Sequence, residues 1–138
     1  MADTFLLEIV TPLRLILSEE VEEVVAPGEA GEFGVLKGHT LFLSPLKPGE
    51  ITYKTADSTT GRLAIDRGYA EIGPGRATIL VDSAESAGDI DIEKAREELK
   101  EADEGLKAFT PDNPEYREAL RVFELASARV GVCEKAKE

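Results

Sequence analysis

The chain has 138 residues, of which 42% are hydrophobic and 32% charged, and this length suits one ordinary domain core with a small appendage. Its formal net charge of −12 repels phosphate backbones and anionic lipid headgroups, so we expect no nucleic-acid partner and no direct membrane insertion. A single histidine and a single cysteine are too few for a zinc site or an internal disulfide. The N-terminus lacks the basic start and apolar run of a signal peptide, so the sequence predicts a cytosolic protein.

Residues 1–88 alternate short apolar runs with turn residues. The runs that we predict as strands are 5–10, 13–17, 21–26, 32–36, 40–43, 50–55, 62–66, 69–72 and 77–81. Proline, glycine or aspartate turn signals separate nearly all of them, and no helical segment lies between them. Many short strands at this spacing predict an antiparallel β-sandwich rather than βαβ units.

The pattern changes after Glu85, where glycine nearly vanishes and Ala, Glu, Lys and Arg dominate. Asp91 suits a helix N-cap, and Glu93 in the first turn complements the helix dipole. Apolar residues then recur at steps of three and four, which is typical of one helical stripe; they are Ile92, Ala95, Leu99, Ala102, Leu106 and Phe109. The segment 110–114 interrupts the pattern, and Asn113 as N-cap with Pro114 predicts the start of a second helix.

The second helix repeats the stripe, at Tyr116, Leu120, Phe123, Ser127 and Val130. We therefore predict an α+β chain, with an antiparallel β-sandwich domain at 1–88 followed by an antiparallel two-helix hairpin at 89–138. The alanines in both helices leave little apolar area, so we expect a weakly docked hairpin that can open or extend. Residues 113–138 carry five basic and five acidic side chains, and this least acidic part of the chain suits contact with an acidic partner.

The stretch 27–40 is rich in glycine, with glycines at 28, 31, 34 and 38. One interpretation is structural, because glycine readily adopts positive φ at hairpin turns and bulges. The other is a contact loop at the edge of the sandwich, in which exposed Glu32 and His39 meet a partner. The sequence pattern by itself leaves both open.

Catalytic machinery is not evident in the sequence. His39 sits in a glycine-flanked turn, with no obvious carboxylate nearby in sequence to orient it as a general base. The sequence contains no G-x-x-x-x-G-K-[ST] motif of the kind that binds nucleotide phosphates, and the segment 73–75 predicts a hairpin turn rather than a phosphate-binding loop. A free-standing hydrolase that uses surface carboxylates is disfavoured, since the carboxylates are abundant and no convergent catalytic set accompanies them.

The run GEFGVLKGHT (31–40) and the turn at 46–49 resemble the signature of the epsilon subunits of F-type ATP synthases. Thr11-Pro12, the strand at 21–24, Pro27-Gly28 and the hairpin start at 89–91 also match, in the right order along nearly the whole chain. The resemblance implies a sandwich at the foot of the central stalk, in contact with the gamma subunit and the ring of c subunits. The contact-loop residues, with Lys37 in place of the family's usual proline, are Glu29, Glu32, Phe33, Gly34, Lys37, Gly38 and His39.

Some members of that family bind ATP between the sandwich and the folded hairpin, through an Ile-Asp-x-x-Arg-Ala motif, an upstream Glu and basic residues of the last helix. The corresponding positions here are Glu85, Asp91, Lys94 and Arg129, while Leu125 occupies a further basic position. Lys94 replaces an arginine, and an ammonium lacks the rigid fork with which a guanidinium binds phosphate. We therefore expect no tightly bound cofactor and only weak MgATP binding, with Asp91 acting as an N-cap.

The resemblance implies a non-catalytic rotor subunit of a proton-translocating ATP synthase, which couples gamma to the c-ring and inhibits ATP hydrolysis through its C-terminal helices. We assign regulation to the basic residues Arg117, Arg121 and Arg129 of the last helix, through transient contact with the alpha and beta subunits. The expected location is peripheral, on the cytoplasmic face of the inner (plasma) membrane. The alternative is an ATP-sensing soluble module that binds nucleotide between sandwich and hairpin.

Overall fold

A computed structural model describes residues 3–136. Within this range, nine strands precede a short 3-10 turn at Ala87–Asp89 and two helices. The strands are β1 (Phe5–Val10), β2 (Leu15–Gly28), β3 (Gly31–Leu36), β4 (Phe42–Leu46), β5 (Gly49–Thr55), β6 (Thr60–Ile65), β7 (Gly68–Gly73), β8 (Arg76–Val81) and β9 (Ala84–Glu85). The helices are α1 (Ile92–Lys107) and α2 (Tyr116–Lys135). The predicted order of a strand-rich part followed by two helices is confirmed.

The longest strand, β2, joins two runs that the sequence pattern separated. Its first half pairs antiparallel with β1, from Val21 opposite Phe5 to Leu15 opposite Val10. Its second half pairs with β5, and the register shifts just after Val21. An irregularity of this kind bends a strand, so β2 passes from one layer of the sandwich to the other without a loop.

The strand order is β1-β8-β7-β4-β2-β5-β6-β9, with β3 paired to β2 and β1 paired back to β2. The pair β1–β8 is parallel, with Leu7 opposite Ala77, whereas the other pairs are antiparallel. The predicted antiparallel β-sandwich is confirmed, with β1–β8 as a parallel pair within it. Parallel neighbours require a long connection, and the chain from β2 to β7 provides it.

Alternation along the strands determines the core. On β1 the buried residues Phe5, Leu7 and Ile9 alternate with half-buried ones. They pack with buried residues of both layers, among them Val21, Val24, Val35, Leu46, Ile51, Leu63, Ile65, Ile72 and Ile79. On β6 the alternation is lost, because Ala64 is buried along with its two neighbours. Continuous burial of this kind means that β6 is covered on both faces.

The first helix begins where the sequence predicted. The Asp91 carboxylate accepts hydrogen bonds from the backbone N–H groups of Glu93 and Lys94, at 3.1 and 3.3 Å. Asp91 is therefore confirmed as the N-cap of α1.

The second helix begins at Tyr116, so the predicted N-cap at Asn113 and helical start at Pro114 are wrong. The Asn113 side chain instead accepts a hydrogen bond from the backbone N–H of Glu115 at 2.9 Å. A short polar side chain that bonds two residues ahead favours a turn, and Asn113 therefore stabilises the connection between the helices.

The helix α2 lies between α1 and the sandwich. Its buried residues Ala128, Val130, Val132 and Cys133 cluster with Ala64 of β6 and with Ile90 and Ala95. The predicted stripe contained Ser127, which is exposed, because a helix with two contact faces does not follow one narrow stripe. In residues 3–136, neither helix combines the length and the apolar character needed to span a bilayer.

Candidate functional site

The predicted contact loop contains a strand. Its middle part is β3, with Glu29 in the turn before this strand and Lys37 in the turn after it. A six-residue strand spans about 17 Å. The turn at Glu29 with the adjoining Glu32, and the turn with Lys37 and Gly38, therefore lie at opposite ends of β3. The strand predicted at 32–36 is confirmed by β3, and it separates the predicted contact loop into two turns.

Backbone geometry accounts for three of the four glycines in this stretch. Gly31 and Gly38 have φ values of 136° and 82°, which other L-residues rarely adopt. A Cβ on Gly28 would lie 2.7 Å from the carbonyl oxygen of Gly31, closer than packing allows. Gly34 shows neither feature. The structural interpretation of the glycines thus holds for most of the stretch, and it is compatible with a contact role for the exposed carboxylates of Glu29 and Glu32.

His39 is half-buried, not exposed as the contact-loop interpretation expected. Its Nδ1 is within hydrogen-bonding distance of the Leu36 carbonyl oxygen, and its ring meets that of Phe5 edge-on, with centroids 5.6 Å apart. Phe33 packs in the same manner against Phe42 at 5.4 Å. These aromatic contacts attach the β3–β4 turn to the sandwich.

An apolar face that the sequence analysis did not predict crosses one layer of the sandwich. It consists of Pro45, Tyr69, Leu80, Val10 and Leu15, each directly opposite the next in the strand register. Directly opposed residues project to the same side of a sheet, so the five form one continuous row. Tyr69 is 55% exposed, Leu15 51% and Leu80 44%.

Further exposed apolar side chains lie on β4 and in the loop before β2. Leu43, two residues before Pro45, is 66% exposed, and Leu13 is 93% exposed. The sequence held a signal for this surface, because Leu80 stands between the core residues Ile79 and Val81. A strand that is apolar on both faces indicates that something covers its second face.

Arg121 of α2 forms the most buried ion pair between hairpin and sandwich. Its Nη2 donates to Oδ2 of Asp66 at 2.6 Å, and Asp66 is 4% exposed. The other carboxylate oxygen accepts from the backbone N–H of Arg67 at 2.7 Å. Arg121 also donates to Glu118 on its own helix at 2.8 Å.

Arg129 joins three elements. Its Nε and Nη2 donate to the two carboxylate oxygens of Glu85 in β9, at 2.9 and 3.3 Å. Its Nη1 donates to Glu98 of α1 at 3.2 Å. A bidentate guanidinium–carboxylate pair is among the stronger polar contacts, so Arg129 connects the sandwich, α1 and α2 at one point.

Two lysine pairs add to these contacts. Lys47, in the turn before β5, donates to Glu124 of α2 at 3.1 Å, and Lys135 donates to Glu50 of β5 at 2.7 Å. Near the second pair, a Cβ on Gly131 would lie 2.8 Å from Glu50 Oε2. Glycine at this helical position therefore lets α2 approach β5 closely.

The candidate nucleotide residues are only partly brought together. Glu85 and Arg129 bind each other, Asp91 caps α1 and Lys94 is exposed. Arg117, the third basic residue assigned to regulation, is also exposed. Among residues 3–136, no three His, Cys, Asp or Glu side chains are grouped so as to hold a metal ion.

Comparison with known proteins gives a consistent result. The family model described as ATP synthase, Delta/Epsilon chain, beta-sandwich domain matches residues 4–87. The ATP synthase epsilon chain of Geotalea uraniireducens (strain Rf4) is 43% identical, over 99% of this chain and 98% of its own. That of Syntrophobacter fumaroxidans (strain DSM 10017 / MPOB) is 47% identical, over 98% and 99%.

Solved structures share the fold. A chain in the mitochondrial ATP synthase of Euglena gracilis, from a structure of OSCP/F1/c-ring, has a TM-score of 0.78 at 24% identity, covering 100% of this chain and 84% of that chain. A chain in the central stalk/c-ring structure of the Tetrahymena thermophila mitochondrial ATP synthase has a TM-score of 0.56 at 14% identity, covering 96% of each.

Proposed function

Since the chain belongs to the family of ATP synthase epsilon chains, we propose that it is a non-catalytic subunit of the central stalk that couples the gamma subunit to the c-ring. In this proposal gamma binds the apolar face, and the c-ring meets the turn at Glu29 together with Glu32 at the start of β3. An element that couples two moving parts has to be stiff. The closely packed core of the sandwich supports this role, because protein interiors have low compressibility and transmit strain.

The observation that carries the proposal is the apolar face. Monomeric soluble proteins rarely expose contiguous apolar patches larger than a few hundred Å², and larger patches mark interaction sites. Here the row around Tyr69 and Leu80 contains no charged residue, although the chain as a whole carries a net charge of −12. Aromatic and aliphatic side chains without charges are typical of the centre of a stable protein interface, which suits a permanent partner such as gamma.

The turn at Glu29 is proposed for the c-ring because it is exposed and geometrically constrained. The backbone N–H of Glu29 donates to the carbonyl oxygen of Pro45 at 3.0 Å, and Gly31 supplies the positive φ of the turn. Glu32 follows as the second residue of β3, paired with Pro27. A turn held in this way presents its carboxylates in a defined direction, which favours a contact that bears load.

The hairpin is proposed as the regulatory part. Once released from the sandwich it extends along gamma, makes transient contact with the alpha and beta subunits, and obstructs rotation in the hydrolysis direction. The docked arrangement supports a two-state element, because Arg121 and Arg129 bind internal carboxylates there and become available only when α2 leaves. The protein then acts peripherally, at the cytoplasmic face of the membrane that holds the c-ring.

Binding to the cognate gamma subunit tests the proposal. Size-exclusion chromatography at micromolar concentration should show a one-to-one complex. The double substitution Tyr69→Ser with Leu80→Ser should weaken binding by at least about 2 kcal/mol, or roughly thirtyfold, since both side chains lie at the centre of the apolar face. Val122→Ser is the matched control, because Val122 is an exposed apolar residue on α2.

Two results would contradict the proposal. The first is the absence of a complex between the unmodified chain and gamma. The second is binding of the double variant as tightly as that of the Val122→Ser control, which would remove gamma from the apolar face.

A further inference from the structure

The hairpin is held on the sandwich by charge as well as by apolar contact. The apolar cluster between them contains small side chains, such as Ala64, Ala95 and Ala128, and a small side chain buries little area. In the described residues, ion pairs join α2 to the sandwich along the length of the helix, at Arg121, Glu124, Arg129 and Lys135. The guanidinium side chains of Arg121 and Arg129 are 24% and 20% exposed, against 47% and 43% for Lys47 and Lys135, so their ion pairs are less weakened by water and salt.

Docking of α2 depends on Arg121 because of where Asp66 lies. With the hairpin in place, Asp66 is 4% exposed and its Oδ2 is bound by Arg121. If α2 docked without this guanidinium, a carboxylate would be buried with only a backbone N–H from Arg67 as partner. An uncompensated buried charge strongly destabilises the arrangement that buries it.

Arg129, about two helical turns further along α2 than Arg121, makes docking depend on a second guanidinium. Three of its donor atoms are directed to Glu85 and Glu98. Glu85 belongs to β9 and Glu98 to α1, so one guanidinium holds the sandwich and both helices. The donors that could meet an anionic ligand are therefore occupied by the protein's own carboxylates.

We propose that these contacts form an ionic latch, in which Asp66–Arg121 and Glu85–Arg129–Glu98 hold the hairpin in its docked position in place of a bound anion. The latch weakens as ionic strength rises, and its two arginines are available to another acidic group only after α2 has left the sandwich. An effect of the latch on rotation of the ATP synthase rests on the proposed function. The latch itself is a property of the isolated chain.

Reaction of Cys133, the only cysteine of the chain, measures hairpin release. Cys133 is 5% exposed, within the cluster that α2 forms with Ala64. A thiol reagent such as dithiobis(nitrobenzoate) reaches Cys133 only when the hairpin opens. When the hairpin closes again faster than the reagent reacts, the labelling rate is proportional to the fraction of molecules with an open hairpin. The thermal unfolding midpoint of the same samples distinguishes hairpin release from loss of the sandwich.

Four single substitutions test the latch on the full chain. Arg121→Gln and Arg129→Gln should each raise the labelling rate by at least about tenfold, because each leaves carboxylates buried or half-buried without their cation. The Glu98 side chain is 43% exposed. Glu98→Gln should therefore raise the labelling rate by about threefold, and of the three latch variants it should disturb folding least. Arg96→Gln is the matched control, since within residues 3–136 the ion pair of Arg96 is with Glu93 on its own helix.

Salt and nucleotide complete the test. Raising NaCl from about 0.1 M to about 1 M shortens the Debye length from about 10 Å to about 3 Å, so labelling of the unmodified chain should accelerate. The Arg121→Gln variant should respond less. Millimolar MgATP should leave the labelling rate of the unmodified chain unchanged.

The latch is wrong if Arg121→Gln, Arg129→Gln and Glu98→Gln label no faster than Arg96→Gln. A strong slowing of labelling by millimolar MgATP would also overturn it, since the docked state would then depend on a bound anion. Either result leaves the gamma-binding test untouched, so failure of the latch and failure of the proposed function are distinguishable.

Discussion

Gly61 on β6 lies directly beneath the ring of Tyr53 on β5. The two residues are cross-strand partners, and a Cβ on Gly61 would stand 2.1 Å from Cζ of Tyr53. Burial, with a smaller effect of the Glu19 carboxylate, raises the pKa of the Tyr53 phenol. The absence of a side chain at position 61 therefore allows the tyrosine ring to lie across the sheet.

Gly61→Ala should destabilise the sandwich by about 1–3 kcal/mol, because the added methyl group forces the Tyr53 ring out of place. For a domain of this size each kcal/mol corresponds to roughly 4–8 °C in Tm, which thermal unfolding by circular dichroism resolves. The pKa of Tyr53 should also fall toward its ordinary value as the ring becomes more exposed. Gly73→Ala is the control, since nothing lies within 4 Å of its Cβ position. Equal Tm values for the two variants would contradict the steric explanation.

A chain that ends at Gly88 should keep the sandwich fold and bind gamma, while inhibition of ATP hydrolysis in the reconstituted enzyme should be lost. The main core cluster runs from Phe5 to Ala84, and the apolar cluster shared with the hairpin takes only the small side chain of Ala64 from strand β6. Cooperative thermal unfolding and gamma binding are the measurements. Loss of the cooperative transition, or inhibition equal to that of the full chain, would show that the two parts are not separable at this point.

Glu32→Cys should form a disulfide with a cysteine placed in the loop of a c subunit, in the assembled enzyme under mild oxidation. Glu32 is exposed next to the constrained turn at Gly31. The native Cys133 is buried while the hairpin is docked, so background crosslinking should be low in that state. Glu104→Cys, exposed on α1, serves as the control. If cysteines at every position of the c-subunit loop fail to react with Glu32→Cys, the c-ring contact lies elsewhere.

The unmodified chain should bind MgATP no better than about millimolar. Lys94 lacks the planar fork of an arginine, Leu125 supplies no charge, and Arg129 is bound to Glu85 and Glu98. The double substitution Lys94→Arg with Leu125→Arg should tighten binding by at least about tenfold, since one charge-assisted hydrogen bond contributes about 1.5–3 kcal/mol. Calorimetric titration of both proteins measures the difference. Low-micromolar binding by the unmodified chain would favour the alternative of an ATP-sensing module.

The parts of the fold that the sequence predicted well are those that depend on residues close together in the chain. The alternation of Phe5, Leu7 and Ile9 located β1, and the position of Asp91 before an apolar stripe located the start of α1. Both signals depend on residues adjacent in the chain. Asn113 shows the limit of such signals, because a short polar side chain serves a turn as readily as a helix cap.

The apolar face and the two turns around β3 were less predictable from the sequence, because each depends on strand register or on how two elements pack. Tyr69 and Leu80 become part of one apolar face only because β7 pairs with β8 in the observed register. The strand predicted at 32–36 is present as β3, but the sequence does not show that this strand places Glu29 and His39 of the predicted contact loop at opposite ends.

The sequence by itself determined the division of the chain into a strand-rich part and a helical part, its membership of a family and its acidic charge, because periodicity, motifs and composition are properties of the chain. Only the tertiary structure decided which carboxylates the arginines of α2 bind. Asp66 and Arg121 are 55 positions apart, and Glu85 and Arg129 are 44 apart. Among 28 acidic residues, spacing along the chain does not distinguish one partner from another; the docking of α2 against β6 brings these pairs together.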